Sequence, residues 1–181
     1  MRLIILDRDG VINHDSEAYI KSPDEWEPIA GSIDAIARLS QAGYRIAVAT
    51  NQAAIGRGLF DLDMLMRMHD KMHRLVNDAG GEIEAVAFCP HRPEDGCDCR
   101  KPKPGMLLDL ARRFVVDLSG VPFVGDSLRD LQAARAAGAT PVLVRSGNGA
   151  RTLAMLDDFG DVAVHDDLAS FANAVLASSS S

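Results

Sequence analysis

Short apolar runs and amphipathic stretches alternate along the whole chain, and that alternation constrains the fold more than any single motif. Strand-length apolar runs occupy residues 3–6, 44–50, 84–89, 121–126, 140–144 and 162–164. Between them lie segments with apolar residues at helical spacing, at 32–43, 61–81, 105–114, 127–138 and 166–177. In the first of these, Ile33, Ile36, Ala37 and Leu39 recur with the helical period, with Ser32 placed to cap its start and Gly43 to end it. Strand–helix alternation of this kind predicts an α/β fold: a Rossmann-like parallel sheet with helices on both faces. One domain over 1–177 is expected, with the terminal serines, 178–181, as a frayed tail. Right-handed crossovers bring the C-terminal ends of the strands to one edge, where ligands of such sheets bind. That edge should therefore gather Asp7, Thr50, Cys89 and Asp126.

The first strand ends in DRDG, which sets Asp7 and Asp9 two residues apart, followed by Gly10. Residues at that spacing in extended chain point the same way, so their charges repel and shift each other's pKa. Taken alone, the pair serves as readily to cap a turn as to hold a cation. GDSLRD adds Asp126 at another strand end and Asp130 one helical turn later. A cluster of hard oxygens at one sheet edge suits Mg2+. After Thr50 comes a polar, glycine-bearing loop, whose hydroxyl and free N–H groups suit a phosphate oxygen. Arg100, Lys101 and Lys103 precede the next helix and can balance phosphate charge, although single basic residues are commonly only solvated.

All three cysteines lie within eleven residues, CPHRPEDGCDC. Cys89, His91, Cys97 and Cys99 make a four-donor set suited to tetrahedral Zn2+. Four protein ligands leave no open position, so the expected zinc is structural, stiffening the backbone that leads into Arg100 and Lys101. His14, His69, His73 and His165 lack such company and read as solvated or packing residues. The run Met64, Met66, Met68 and Met72 reads as core.

A net charge of −7 argues against a nucleic-acid surface. No apolar stretch approaches the length of a membrane span, and the N-terminal run is too short for a signal sequence. With an odd cysteine count, a disulfide framework is not expected. Together these predict a cytoplasmic protein without membrane or nucleic-acid partners, acting as a monomer.

DRDG, TNQ, CRKP and GDSLRD, in that order at successive strand ends, resemble the haloacid dehalogenase superfamily of phosphotransferases. DRDGVIN, TNQAAIGRG and CPH…CDCRKPKPGM are most similar to its branch of heptose-bisphosphate and histidinol-phosphate phosphatases. The resemblance implies that Asp7 is the nucleophile, forming an aspartyl-phosphate, and that Asp9 is the general acid–base. It implies Mg2+ held by Asp7, the Asp9 carbonyl and Asp126, with Asp130 behind them. Thr50 and Lys101 match the groups that stabilise the transferring phosphoryl, and Arg100 a substrate-recognition position. Asn51, Gln52, Ala53 and Ala54, with the segment from Asp15 to Tyr19, would line the sugar. One departure is visible, because Ala53 and Ala54 stand where the branch usually has Ser-Gly. The gaps between motifs are too short for a separate cap domain, so a capless fold with an open site is expected. The implied substrate is a small phosphorylated sugar, a heptose 1,7-bisphosphate losing its C7 phosphate on the way to nucleotide-activated heptose and surface polysaccharide. Other readings are a histidinol-phosphate phosphatase, a nucleic-acid 3′-phosphatase and a non-catalytic zinc-stiffened binding module.

Overall fold

The computed structural model describes residues 2–156 and 160–179. Six strands form a parallel sheet: β1 (Arg2–Leu6), β2 (Tyr44–Asn51), β3 (Ala85–Cys89), β4 (Pro122–Gly125), β5 (Thr140–Val144) and β6 (Ala163–His165). Their order is β3-β2-β1-β4-β5-β6, and every neighbouring pair runs parallel. Chain order reverses between β1 and β4, the switch point where such sheets open a crevice.

Strand residues alternate between two cores, as the period of two requires. Ile4, Leu6, Ile46 and Val48 face α1 (Ser32–Gln41), α3 (Leu62–Asp78) and α7 (Leu168–Ser179). Leu3, Ile5, Ala47 and Ala49 face α4 (Gly105–Phe114) and α5 (Leu128–Ala137). Alanines dominate the second face, at 47, 49, 85, 87, 133 and 134, which lets α4 and α5 approach the sheet closely. On the first face Trp26, fully buried, seals the long β1–α1 connection against the core.

Several expectations change in detail. Ser32 does not cap α1. Gly31 takes the N-cap position at φ 79°, and the Ser32 hydroxyl instead donates to the Ile12 carbonyl at 2.6 Å, tying the connection to the helix. The last strand is shifted by one residue, to Ala163–His165. Helix α7 continues to Ser179, so 178–179 are helical rather than frayed, while 180–181 lie outside the described residues. Met68 and Met72 are core, but Met66, two positions from Met68 and so on another face of α3, is 38% exposed. The structure adds two short helices, α2 (Ala53–Gly56) and α6 (Gly149–Leu153), and a 3-10 turn at Pro93–Asp95; pieces this short carry no readable period. No helix among the described residues is long and apolar enough to cross a membrane.

Candidate active site

Backbone pairing places the acidic cluster. Asp7 follows β1, its N–H donating to the Val124 carbonyl of β4 at 2.8 Å, and Asp126 follows β4. Asp130 sits one turn into α5, where it closes a capping box with Ser127 and receives the Asp126 N–H. Carboxylate oxygens of Asp7, Asp126 and Asp130 lie within 4.8 Å of one another, and all three residues are buried. Among the described residues, one cation pairs with two of them. The Lys101 ammonium, 2% exposed, pairs with Asp7 and Asp130 at 2.8 Å each and donates to the Ala49 carbonyl at 2.9 Å.

Three carboxylates facing one lysine leave negative charge uncompensated. Burial, then the Asp130 charge, pushes Asp7 well above the usual carboxylate range, and the same two causes raise Asp126 to about 7. Burial also penalises the Lys101 charge, but the Asp130 and Asp7 carboxylates outweigh it and raise its pKa; Lys101 in turn holds Asp130 low despite burial. Oxygen donors, buried and short of positive charge, fit a hard divalent cation such as Mg2+.

Two glycines make room for Asp126. A Cβ on Gly10, at φ +83°, would stand 2.1 Å from Asp126 Oδ2, and one on Gly147 would stand 2.3 Å from the same oxygen. The β5–α6 loop then holds this oxygen through the Asn148 N–H at 2.7 Å, while the Thr152 hydroxyl donates to the Asp126 carbonyl. Asn148 also reaches Asp15, so this loop links the metal-type cluster to the β1–α1 connection.

Asp9 is held separately. Arg8 Nε donates to its Oδ1 at 3.1 Å, and Arg8 Nη2 reaches Oδ1 at 2.9 Å and Oδ2 at 3.1 Å. Asn13 donates to Oδ1 and Gln52 to Oδ2. Gln52 also donates to the buried Thr50 hydroxyl. The Asn51 amide is occupied with the Lys101 backbone, donating to its carbonyl and accepting its N–H, both at 3.1 Å. That clasp, across β2 and the loop after the cysteines, fixes where the Lys101 ammonium points.

These groups converge on one cleft of about 350 Å³. Asp7, Asp9, Asp15, Tyr19, Thr50, Asn51, Gln52, Ala53, Arg100, Lys101, and Asp126 all line it, with Tyr19 in the left-handed region at φ 64°. Ala54 does not: it is fully buried, turned away from the cleft by the α2 helix that presents Ala53.

At the edge of the cleft the cysteine loop closes on itself. Five of the six separations among Cys89 Sγ, His91 Nδ1, Cys97 Sγ and Cys99 Sγ are 3.2–3.6 Å. The sulfurs are too far apart for disulfides, and all three cysteines are free. A tetrahedral zinc with Zn–S near 2.3 Å sets edges of about 3.7 Å, so the donor set fits zinc with little adjustment. Burial pushes the Cys89 thiol up to about 12; Cys97, despite its own burial, is brought down to about 7 by hydrogen bonds led by that from Cys99.

Comparison with known proteins agrees with this geometry. The HAD-hydrolase-like family model matches residues 98–171. The D-glycero-beta-D-manno-heptose-1,7-bisphosphate 7-phosphatase of Bordetella bronchiseptica is 57% identical over 176 residues, covering 97% of this chain and 98% of its own. Its namesake from Pseudomonas aeruginosa is 58% identical over 96% of this chain and 97% of its own. The chain belongs to the heptose-1,7-bisphosphate 7-phosphatase family. A crystal structure of the B. bronchiseptica D,D-heptose 1,7-bisphosphate phosphatase, complexed with magnesium and phosphate, superposes with a TM-score of 0.96 at 56% identity. It spans 98% of this chain and 99% of that one, so the fold is shared over almost the whole chain.

Sequence reasoning missed several cleft residues of this family member. Arg57 and Arg129 line the cleft beside Arg100, and Asn148 holds Asp126. Arg57 and Arg129 stand inside the motifs TNQAAIGRG and GDSLRD, so a search for cations near the motif ends would have found them. Asn148 has only the turn signal SGNG, and Arg8 reads as filler between two aspartates.

Proposed function

We propose that this chain is a Mg2+-dependent phosphatase that removes the C7 phosphate of D-glycero-D-manno-heptose 1,7-bisphosphate through an aspartyl-phosphate. The observation that carries the reading is the cluster of Asp7, Asp126 and Asp130, with Lys101 paired to Asp7 and Asp130, at the switch point of a chain 57% identical to a heptose-bisphosphate phosphatase. The B. bronchiseptica and P. aeruginosa relatives favour the heptose substrate over histidinol phosphate, a nucleic-acid 3′-phosphate or a binding role.

Asp7 attacks phosphorus, forming the aspartyl–phosphoryl bond as the bond to the C7 oxygen breaks. Asp9 gives its proton to the departing alkoxide, then takes one from the water that hydrolyses the intermediate. Thr50 and Lys101 face the equatorial oxygens, where charge must be neutralised. Asp7, the Asp9 carbonyl and Asp126 would hold Mg2+, which would supply further neutralisation of the phosphoryl charge. Arg100, with Arg57 and Arg129 on the same rim, offers guanidinium forks to the second phosphate. Asn51 positions Lys101 through one N–H and its carbonyl oxygen, and its second N–H is left for the substrate in the cleft it lines. Cys89, His91, Cys97 and Cys99 would hold zinc, which would stiffen the loop that carries Arg100 and Lys101. The product supplies nucleotide-activated heptose for lipopolysaccharide or related surface polysaccharide, and the enzyme acts as a cytoplasmic monomer.

The test is turnover of heptose 1,7-bisphosphate against histidinol phosphate, with and without Mg2+, for the wild type and Asp7→Asn. Metal-dependent preference for the bisphosphate, lost in Asp7→Asn while the fold is retained, is the expected result. Preference for histidinol phosphate, or an active Asp7→Asn, would overturn it.

A further inference from the structure

Arg8 is the second-largest fully buried side chain of the described core, at 0% exposure, yet it carries a full charge and stands between two site aspartates. Burying a guanidinium is costly unless its donors are all used. Two of its nitrogens grip Asp9 as a fork, at 2.9–3.1 Å. The third, Nη1, lies 3.3 Å from Nε2 of His69, a helix α3 residue 61 positions away. Arginine can only donate, so Nε2 must accept and its proton must sit on Nδ1. The imidazole is 4% exposed, packs edge-on against Phe88 at 6.4 Å, and is kept neutral by burial and by the Arg8 charge, which bring its pKa down to about 3. Asp9 itself keeps 21% side-chain exposure and lines the cleft, so a leaving-group oxygen can reach it.

We propose that Arg8 and His69 form a positioning pair for the acid–base step: Arg8 aims the Asp9 carboxylate at the leaving-group oxygen, and His69 locks the Arg8 fork by accepting an N–H from its third nitrogen, Nη1. Neither residue touches the reacting atoms. Proton transfer is steeply sensitive to placement, and a shift of about 1 Å in a catalytic group can cost about 100-fold. Helix α3 thereby fixes a group in the β1–α1 connection, a segment with little regular structure of its own. The inference rests on the reading of the cleft as a phosphatase site with Asp9 as its acid–base.

The test separates protonation from folding by leaving group. A heptose alkoxide departs only if protonated as the bond to phosphorus breaks, whereas nitrophenolate from p-nitrophenyl phosphate leaves as a stable anion. Since kcat/KM reports steps up to formation of the aspartyl-phosphate, Asp9 placement should matter there for the sugar and hardly for the aryl ester. Arg8→Met is expected to lose about 30-fold or more in kcat/KM for heptose 1,7-bisphosphate and less than about 3-fold for the aryl ester, with Arg8→Lys recovering part of the loss. Equal losses on both substrates, or none on either, overturn the proposal. Should Arg8→Met not fold, His69→Leu is read the same way, with His69→Gln, whose amide oxygen can accept from Arg8, as the rescue. A wild-type chain inactive on both esters with Mg2+ would instead overturn the phosphatase reading, and the pair would fall with it.

Discussion

Gly10 is where one missing methyl group decides the chemistry. Its φ of +83°, and the 2.1 Å that would separate a Cβ at this position from Asp126 Oδ2, leave no space for a side chain. Gly10→Ala should push the Asp126 carboxylate off its position while the sheet stays intact. Mg2+ affinity, read by titrating activity, is expected to fall about tenfold or more with an unchanged far-UV circular dichroism spectrum. An unchanged titration would mean that Asp126 has freedom the packing denies it. Val115 is the opposite case, a side chain where none is wanted. It ends α4 in the left-handed region at φ 53°, strained for a β-branched residue, and is 87% exposed, so it packs against little. Val115→Gly should stabilise the protein by about 0.5–1 kcal/mol, a rise of roughly 2 °C in Tm by calorimetry. Neither site is legible in the sequence: Gly10 reads as a turn glycine and Val115 as one more apolar residue, because steric conflict depends on what the fold brings alongside.

At the scale of elements, the loop from β3 to α4 is held by side chains rather than by backbone ladders. Its four sulfur and imidazole donors close to 3.2–3.6 Å, and Arg100 Nη1 lies 3.4 Å from the His91 carbonyl, which it meets as a donor. The Asn51 clasp then fastens the next residue to β2. Stripping zinc should therefore damage substrate handling without touching the carboxylates. We expect about one zinc per chain in protein purified without chelator. Its removal should cut kcat/KM by about tenfold or more, restored by Zn2+ and not by extra Mg2+. Restoration by Mg2+ alone would remove the loop from the mechanism. This element is largely readable in the sequence, since four soft donors within eleven residues are themselves the signal. The clasp is not, because its partners lie fifty positions apart.

Across the whole molecule, folding collects charge that the unfolded chain keeps apart. In the metal-free protein Asp7 and Asp126 take up protons more readily folded than unfolded, Asp126 with a pKa of about 7 against an ordinary 3.8. Between those values the folded state binds more protons at Asp126, so the contribution of this group to stability falls as pH rises and levels off above about 7. One displaced carboxylate over that span is worth a few kcal/mol. Mg2+ replaces those protons, so the rise in Tm on adding it should be larger at pH 8 than at pH 5 in thermal melts. An equal rise at both would place the bound cation elsewhere. The sequence by itself determined the alternation of strands and helices, the parallel sheet, and which aspartates, lysine and cysteines stand near strand ends, because hydrophobic period and motif spacing are local properties. Only the tertiary structure decided that Arg8 grips Asp9 against His69, that Asn51 serves Lys101, that Ala54 turns inward and that Asp126 lies between Gly10 and Gly147. Those relations join residues distant in the chain, and contact distance and burial exist only once the sheet order β3-β2-β1-β4-β5-β6 has brought them together.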